Sequence, residues 1–176
     1  MTRIQFQFLA DRPDAVPMIA RWYFDMWGHK SPDNSVEITR QRLESTLYRD
    51  RLPLRVVAVE DREVIGAATL KLREMDIFPD REHWLGDVFV SPAARGRGVG
   101  SQLVRHLIGR AASLHIHTLH LQTVQLNGGL YAKLGWTPLE EVDYRGARVL
   151  IMARKLSIAN APAKKRLPYL GDHHFR

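Results

Sequence analysis

The sequence predicts one α/β domain, and three observations predict it. Some segments alternate apolar with polar residues, others repeat apolar residues every three or four positions, and one passage runs abruptly from strand through a glycine-rich loop into helix. The chain has 176 residues, the length of a single such domain.

Taken in order, residues 3–9 (RIQFQFL) alternate as a half-buried strand, closed by Asp11 and Pro13. From Asp14 to Trp27, Val16, Ile19, Ala20, Tyr23 and Trp27 recur at helical spacing, and Gly28 is placed to end that helix. Ser35 suits the N-cap of a second helix reaching about Tyr48, anchored by Val36, Leu43 and Leu47. Pro53 interrupts. Residues 54–60 (LRVVAVE) and 64–73 (VIGAATLKLR) are strand-like runs joined by the polar turn Asp61-Arg62-Glu63, so they should pair antiparallel. A polar loop over 74–82 contains Phe78 and Pro79, and WLGDVFVS (84–91) follows as a third central strand. Pro92 stops it. Arg95 to Gly100 read RGRGVG, and Val99, Leu103, Val104, Leu107, Ile108 and Ala111 then form a helical apolar stripe. A strand at 118–123, a short helix near 127–134 and strands near 136–142 and 147–155 complete the domain, taken as residues 1–156. Residues 157–176, with two prolines and a basic cluster, are expected to be a flexible extension.

Hydrophobic residues at 45% and charged residues at 26% exclude a disordered or fibrous chain. The chain has no cysteine, which excludes disulfides, thiolate zinc sites and any acyl-cysteine intermediate. The formal charge of +7 points to a polyanionic partner. Lys164, Lys165, Arg166 and Arg176 against Asp172 give the last twenty residues +3, which leaves +4 for the rest. No apolar run approaches the ~18 residues of a membrane span, and the N-terminus lacks the order of a secretory signal, so no membrane partner and a cytoplasmic location are expected.

Alternate glycines at 96, 98 and 100 let a ligand approach the backbone, and the following helix start presents unpaired N–H groups and a positive dipole end. Such a loop suits phosphate. It is neither a Walker A loop, which needs G-K-[ST], nor a dinucleotide fingerprint, which needs G-x-G-x-x-G after an early strand.

RGRGVG fits the R-x-x-G-x-G loop of the GNAT superfamily of N-acetyltransferases, and VFVSPAARGRGVGSQLV resembles that family's central strand-to-helix motif. GLYAKLGW (Gly129–Trp136) is similar to its second motif, and the resemblance covers about residues 3–156. Within the family the chain resembles bacterial members with a tryptophan-rich first helix, which look like relatives of the actin N-terminal acetyltransferase. The resemblance implies a mixed, mostly antiparallel sheet, splayed between the fourth and fifth strands and flanked by helices, with acetyl-CoA as co-substrate in the opening. It further implies that Val88, Phe89 and Val90 offer backbone groups to the pantetheine arm and thioester carbonyl. Arg95, Gly96, Arg97, Gly98, Val99, Gly100 and Ser101 would wrap the pyrophosphate. Arg97 and Arg105 are candidates for further phosphate charge, though a solvated helix face explains Arg105 better.

Amide formation requires a neutral amine, a polarised carbonyl and a proton for the leaving thiolate. By the resemblance Tyr131 is the general acid; the alternative is that it packs beside Leu134 and Trp136. Where the family often has an asparagine seven residues before that tyrosine, this chain has Val124; Asn127 either replaces the cofactor contact or caps the helix. His120, in an LHLQ segment resembling that of some protein N-terminal acetyltransferases, and Asp87, facing away from Val88, are the base candidates, with Glu82 and His83 behind them. The pairs His115-x-His117 and His173-His174 lack a metal-ligand frame, so no metal is assigned.

In this architecture the acceptor enters opposite the coenzyme, between the first two helices and the loop joining the sixth and seventh strands. Trp22, Tyr23, Trp27, Phe78 and Tyr144 are candidates for an aromatic wall, with only one or two exposed. Glu140, Glu141 and Asp143 would attract a cationic amine or simply be solvated. The expected function is transfer of an acetyl group to a primary amine, of a small molecule or a peptide, by direct attack in a ternary complex. The alternative is a non-catalytic acyl-CoA-binding sensor. Nucleic acid as partner ranks last because the tail has little aromatic interleaving, and a homodimer is compatible with the sequence.

Overall fold

In the computed structural model, residues 2–157 are described; the basic segment beyond them, with His173-His174, lies outside the described residues. The strands are β1 (Gln5–Phe8), β2 (Leu54–Glu60), β3 (Glu63–Leu72), β4 (His83–Val90), β5 (Thr118–Thr123), β6 (Thr137–Tyr144) and β7 (Ala147–Lys155). They form one sheet in the order β1-β2-β3-β4-β5-β7-β6. Every neighbouring pair is antiparallel except β4 and β5. A parallel pair needs a crossover, and the helix α3 (Val99–Ser113) supplies it. The other helices are α1 (Val16–Met26), α2 (Val36–Glu44) and the single turn α4 (Gly129–Lys133).

The β2–β3 hairpin turns on Asp61 and Arg62, both at positive φ, as a two-residue turn matched to strand twist demands. Arg145-Gly146 do the same between β6 and β7. That junction is therefore a tight turn, with Tyr144 the last residue of β6, and not the acceptor-enclosing loop expected from the sequence.

Both faces of β2–β4 are covered. On one, Val99, Leu103, Val104, Leu107 and Ala111 of α3 pack on Leu54, Val56, Ala68, Leu70 and Leu85. On the other, Val16, Ile19, Ala20 and Tyr23 of α1 and Leu43 of α2 pack on Val57, Val59, Ala67 and Phe89. A third cluster of Met75, Trp84, Val149 and Ile151 has no helix residue in it among the described residues. Ser35 caps α2 as expected, its Oγ accepting from the Ile38 N–H at 3.1 Å. The helix stops at Glu44 rather than Tyr48, because the Ser45 and Thr46 hydroxyls both turn back onto the Arg42 carbonyl. The first helix falls one residue short of Trp27: α1 ends at Met26, Trp27 leaves helical geometry with φ −132°, and it is 38% exposed. Gly28 opens a short 3-10 turn, Gly28–Lys30, instead of closing α1 directly.

Ala67 pairs with Phe89 but Thr69 pairs with Gly86, so Asp87 and Val88 together oppose Ala68. This is a β-bulge, and Asp87 sits in it at φ 52°. Among the described residues, no helix is long and apolar enough to cross a membrane.

Candidate active site

A single bridge, Trp84 to His120, joins β4 to β5. Beyond it β5 stays paired to β7 through Thr123, whereas residues 86–90 of β4 have β3 on one side and, among the described residues, no strand on the other. The sheet opens there, leaving a row of main-chain groups along Asp87–Val90 for a ligand. The bulge bends β4 at the start of that gap. Val88 and Val90 direct their side chains into the α3-side core, so what they offer the opening is backbone.

The loop after β4 closes one end of the opening. Gly96 and Gly98 are left-handed, at φ 73° and 76°, and a Cβ on either would meet nothing within 4 Å. Glycine is thus needed for the backbone conformation, and the space in front stays free. Gly98 caps α3 without any side-chain cap bond, so the first-turn N–H groups of the helix remain available at its positive end. A cavity of about 200 Å³ lies against them, lined by Val90, Arg95, Gly98, Gly100, Ser101 and Leu130. Val99 is buried and anchors the loop. Arg95 donates from Nε to the Val90 carbonyl at 3.0 Å, and Arg97 reaches back to Glu60 at 2.6 Å. Arg97 therefore brings its main chain to the loop while its side-chain charge is already paired.

Leu130 forms a wall of that cavity, and Tyr131 follows it in α4. Tyr131 is partly buried and meets Trp136 edge-on, with ring centroids 6.2 Å apart. Burial pushes its hydroxyl up to about 12, so the phenol is protonated at neutral pH and presents an O–H donor. Of the two uses weighed for Asn127, the local one is made: its Oδ1 accepts from the Gly129 N–H at 3.0 Å.

The opposite face of the gap carries the titratable groups. His120 leans on Trp84, ring centroids 5.4 Å apart, and its Nδ1 is buried without a partner among the described residues. Burial, then the nearby Arg81 charge, hold it below the ordinary histidine range, so it is neutral at pH 7. Asp87 accepts from Lys71 Nζ at 2.7 Å, and the same ammonium lies 2.8 Å from Glu74 Oε2. Gln122 donates to Glu74 Oε1 at 3.3 Å. Burial alone would lower the Lys71 ammonium, yet the two carboxylates raise it, so it stays charged. Gly86 leaves the space for this cluster: a Cβ there would stand 3.2 Å from Lys71 Cε and 3.4 Å from Glu74 Oε2. Tyr23 and Thr69, both buried, place nearby hydroxyls that have no hydrogen-bond partner among the described residues, and burial first, then Asp87, raise the Tyr23 phenol. Sequence reasoning missed Lys71, Glu74, Thr69 and Gln122. A lysine inside the apolar run VIGAATLKLR, on the same face as Thr69 by period two, was the one available signal.

The aromatic candidates divide into two groups. Trp22 stacks on Phe89 at 4.8 Å, beside the glycine-loop end of β4. Phe78 and Tyr144 pack on the Trp84 cluster at the other end, where Arg81 covers the Phe78 ring and Tyr144 donates to Asp76 at 3.0 Å. Trp27 touches Tyr23 alone among the aromatic rings, at 5.6 Å. The acidic residues expected to draw a cation lie in β6 and are each ion-paired: Glu140 with Arg81, and Glu141 and Asp143 both with Arg148. Among the described residues, no three histidines or carboxylates converge as metal ligands.

A sequence profile of the acetyltransferase (GNAT) family matches residues 16–136. No curated protein matches the sequence. Among solved structures, a Salmonella typhimurium protein determined with its cofactor acetyl-CoA is 22% identical, covering 92% of this chain and 98% of its own, with TM-score 0.67. An aminoglycoside 6'-acetyltransferase type Ii is 20% identical over 91% of this chain and 99% of its own, with TM-score 0.66. The spermidine/spermine N-acetyltransferase of Vibrio cholerae is 16% identical over 87% and 95%, with TM-score 0.65. At these identities the likeness is one of fold.

Proposed function

Because the chain belongs to the acetyltransferase (GNAT) family, we propose that it moves an acetyl group from acetyl-CoA to a primary amine by direct attack in a ternary complex. The observation that carries this reading is the parting of β4 from β5 after one bridge, beside a left-handed glycine loop at a helix N-terminus. The free loop face and the cavity against it suit a pyrophosphate. Acetyl-CoA supplies the activated acyl group; everything else falls to this chain.

In this reading the main-chain N–H groups of residues 96–101 bind the pyrophosphate. The unpaired edge at Val88, Phe89 and Val90 aligns the pantetheine arm and polarises the thioester carbonyl as an oxyanion hole does. Tyr131 donates its O–H to the departing sulfur. His120 takes a proton from the acceptor's ammonium and so frees the amine lone pair for attack, being neutral and unpartnered at Nδ1, whereas one oxygen of Asp87 is already held by Lys71. Asp87 and Glu74 then serve to orient the amine beside a fixed positive charge. The lack of cysteine agrees with transfer in one step.

The acceptor is an amine of a small molecule or a peptide. The aminoglycoside and spermidine enzymes among the structural neighbours favour a small polyamine-like acceptor. The resemblance to the actin N-terminal acetyltransferase rests on Trp22 in α1 and Trp27 just after it, the Leu119–Gln122 segment resembles that of some protein N-terminal acetyltransferases, and both favour a protein N-terminus. The catalytic domain is taken as residues 1–156, with 157–176 as an appended basic segment. Incubation with acetyl-CoA and a panel of aminoglycosides, polyamines and N-terminal peptides should release free thiol with at least one acceptor. Coenzyme binding without thiol release from any of them would leave the sensor reading instead.

A further inference from the structure

The parallel strands β4 and β5 share one bridge, Trp84 to His120, so two residues further along, Gly86 stands level with Gln122 by register. There the backbone contact has stopped, and a run of side chains takes its place. Lys71 of β3 lies on the sheet face that also carries Ala67 and Thr69, four and two residues before it. Its ammonium donates to Asp87 Oδ1 at 2.7 Å and stands 2.8 Å from Glu74 Oε2. Glu74 offers its other oxygen, Oε1, to the side-chain amide of Gln122 at 3.3 Å. Asp87, Lys71, Glu74 and Gln122 therefore form a continuous polar chain from β4 to β5 at the mouth of the gap.

Past the bridge no ladder hydrogen bond between β4 and β5 fixes how far apart they stand. The side-chain chain can. Lys71, Glu74 and Asp87 expose only 23%, 18% and 20% of their side chains, so water and salt compete with these contacts far less than at an open surface. Asp87 is also the residue of the bulge held at φ 52°, a conformation that is costly for a side chain with a Cβ and that persists only where its surroundings hold it. The bond from Lys71 supplies that hold. Glycine at 86 admits it, since a Cβ there would stand 3.2 Å from Lys71 Cε and 3.3 Å from Nζ. Partly buried ion pairs add little stability over apolar packing of the same volume, and what they supply is a defined geometry. Here the geometry set is that of the opening.

We propose that Asp87, Lys71, Glu74 and Gln122 are a strap across the gap that sets its width and the course of the Val88–Val90 edge, which makes Lys71 and Gln122 positioning residues for acetyl transfer. The role in transfer rests on the acetyl-CoA reading of that edge; the strap itself does not. Lys71→Met removes the centre of the strap. Gln122→Leu releases only its β5 end and leaves both carboxylates on the ammonium, so it serves if the first variant fails to fold. In the isotope-labelled full chain, the amide resonances of residues 86–90 and 121–123 should shift in either variant, while those of 96–101 stay in place. With any acceptor that the wild type turns over, kcat should fall about tenfold in Gln122→Leu and further in Lys71→Met, the scale that a sub-ångström misplacement of reacting groups implies. Affinity for ADP, a probe with a pyrophosphate and no pantetheine arm, should stay within about twofold in both variants, because the loop is a separate site. General damage to the fold would not produce that split. Unmoved resonances along Val88–Val90, an unchanged kcat in both variants, or a fall in ADP affinity parallel to that in kcat would overturn the proposal. A wild type that binds no coenzyme A would overturn the acetyl-CoA reading and the role in transfer with it, and the resonances would still decide whether the strap sets the gap.

Discussion

Tyr131 and His120 sit on opposite sides of the gap between β4 and β5, and the account divides proton traffic between them. Tyr131→Phe removes the donor hydroxyl and little else, since the ring packing against Trp136 survives. It should lower kcat by about 100-fold while coenzyme affinity stays within about twofold, measured by thiol release and calorimetry. His120 works as the neutral imidazole, and burial with the Arg81 charge lowers its affinity for a proton. Activity should therefore persist as pH falls through 6.5, the ordinary histidine value, and be lost only on the acid side of it. A pH profile of kcat/KM for wild type and His120→Gln checks this; an unchanged acid limb in the variant would remove His120 from the role. Lys71 stands between two carboxylates, so Lys71→Met leaves Asp87 and Glu74 facing each other in a half-buried site. Chemical denaturation should show a loss of about 3 kcal/mol, much of it recovered when Asp87→Asn is added.

At the scale of elements, the glycine loop and the bulged strand do most of the positioning. Gly98 occupies left-handed backbone in open space, so Gly98→Ala should cost about 1–2 kcal/mol, a fall of several degrees in Tm, and weaken coenzyme binding more than any distant surface change. The loop was legible in the sequence because all of its determinants are local: RGRGVG, a preceding strand and a following apolar stripe occupy one continuous stretch. The β2–β3 hairpin was legible for the same reason. The cluster around Lys71 was not. Lys71, Glu74, Asp87 and Gln122 come from three separate segments and meet only once β3, β4 and β5 are paired and the bulge at Asp87 is in place. The pairings of Arg97 with Glu60 and of Arg81 with Glu140 span 37 and 59 residues, and they engage the Arg97 guanidinium and the Glu140 carboxylate, two charges that the sequence alone left available. The length of α2 depended on hydroxyls turning back onto its last carbonyls, a competition that apolar periodicity does not register.

For the molecule as a whole, the sheet is packed on both faces where α1, α2 and α3 cover β2–β4, and is opened at the one parallel junction. The half built on β2–β4 carries the loop and the bulge, and the β5 edge faces them across the gap. Because these parts lie within residues 2–157, a chain ending at Ser157 should bind acetyl-CoA and turn over within about twofold of the full chain. If nucleic acid also binds, the salt-dependent part of that binding should be lost with the +3 of the last twenty residues. The most direct test of the central claim is a crystal structure with coenzyme A. The account predicts the pyrophosphate on the N–H groups of residues 96–101, the pantetheine arm along Val88–Val90 in the gap, and the sulfur within hydrogen-bond reach of the Tyr131 hydroxyl. Coenzyme bound elsewhere, or a sulfur out of reach of that hydroxyl with β4 and β5 closed on each other, would contradict it.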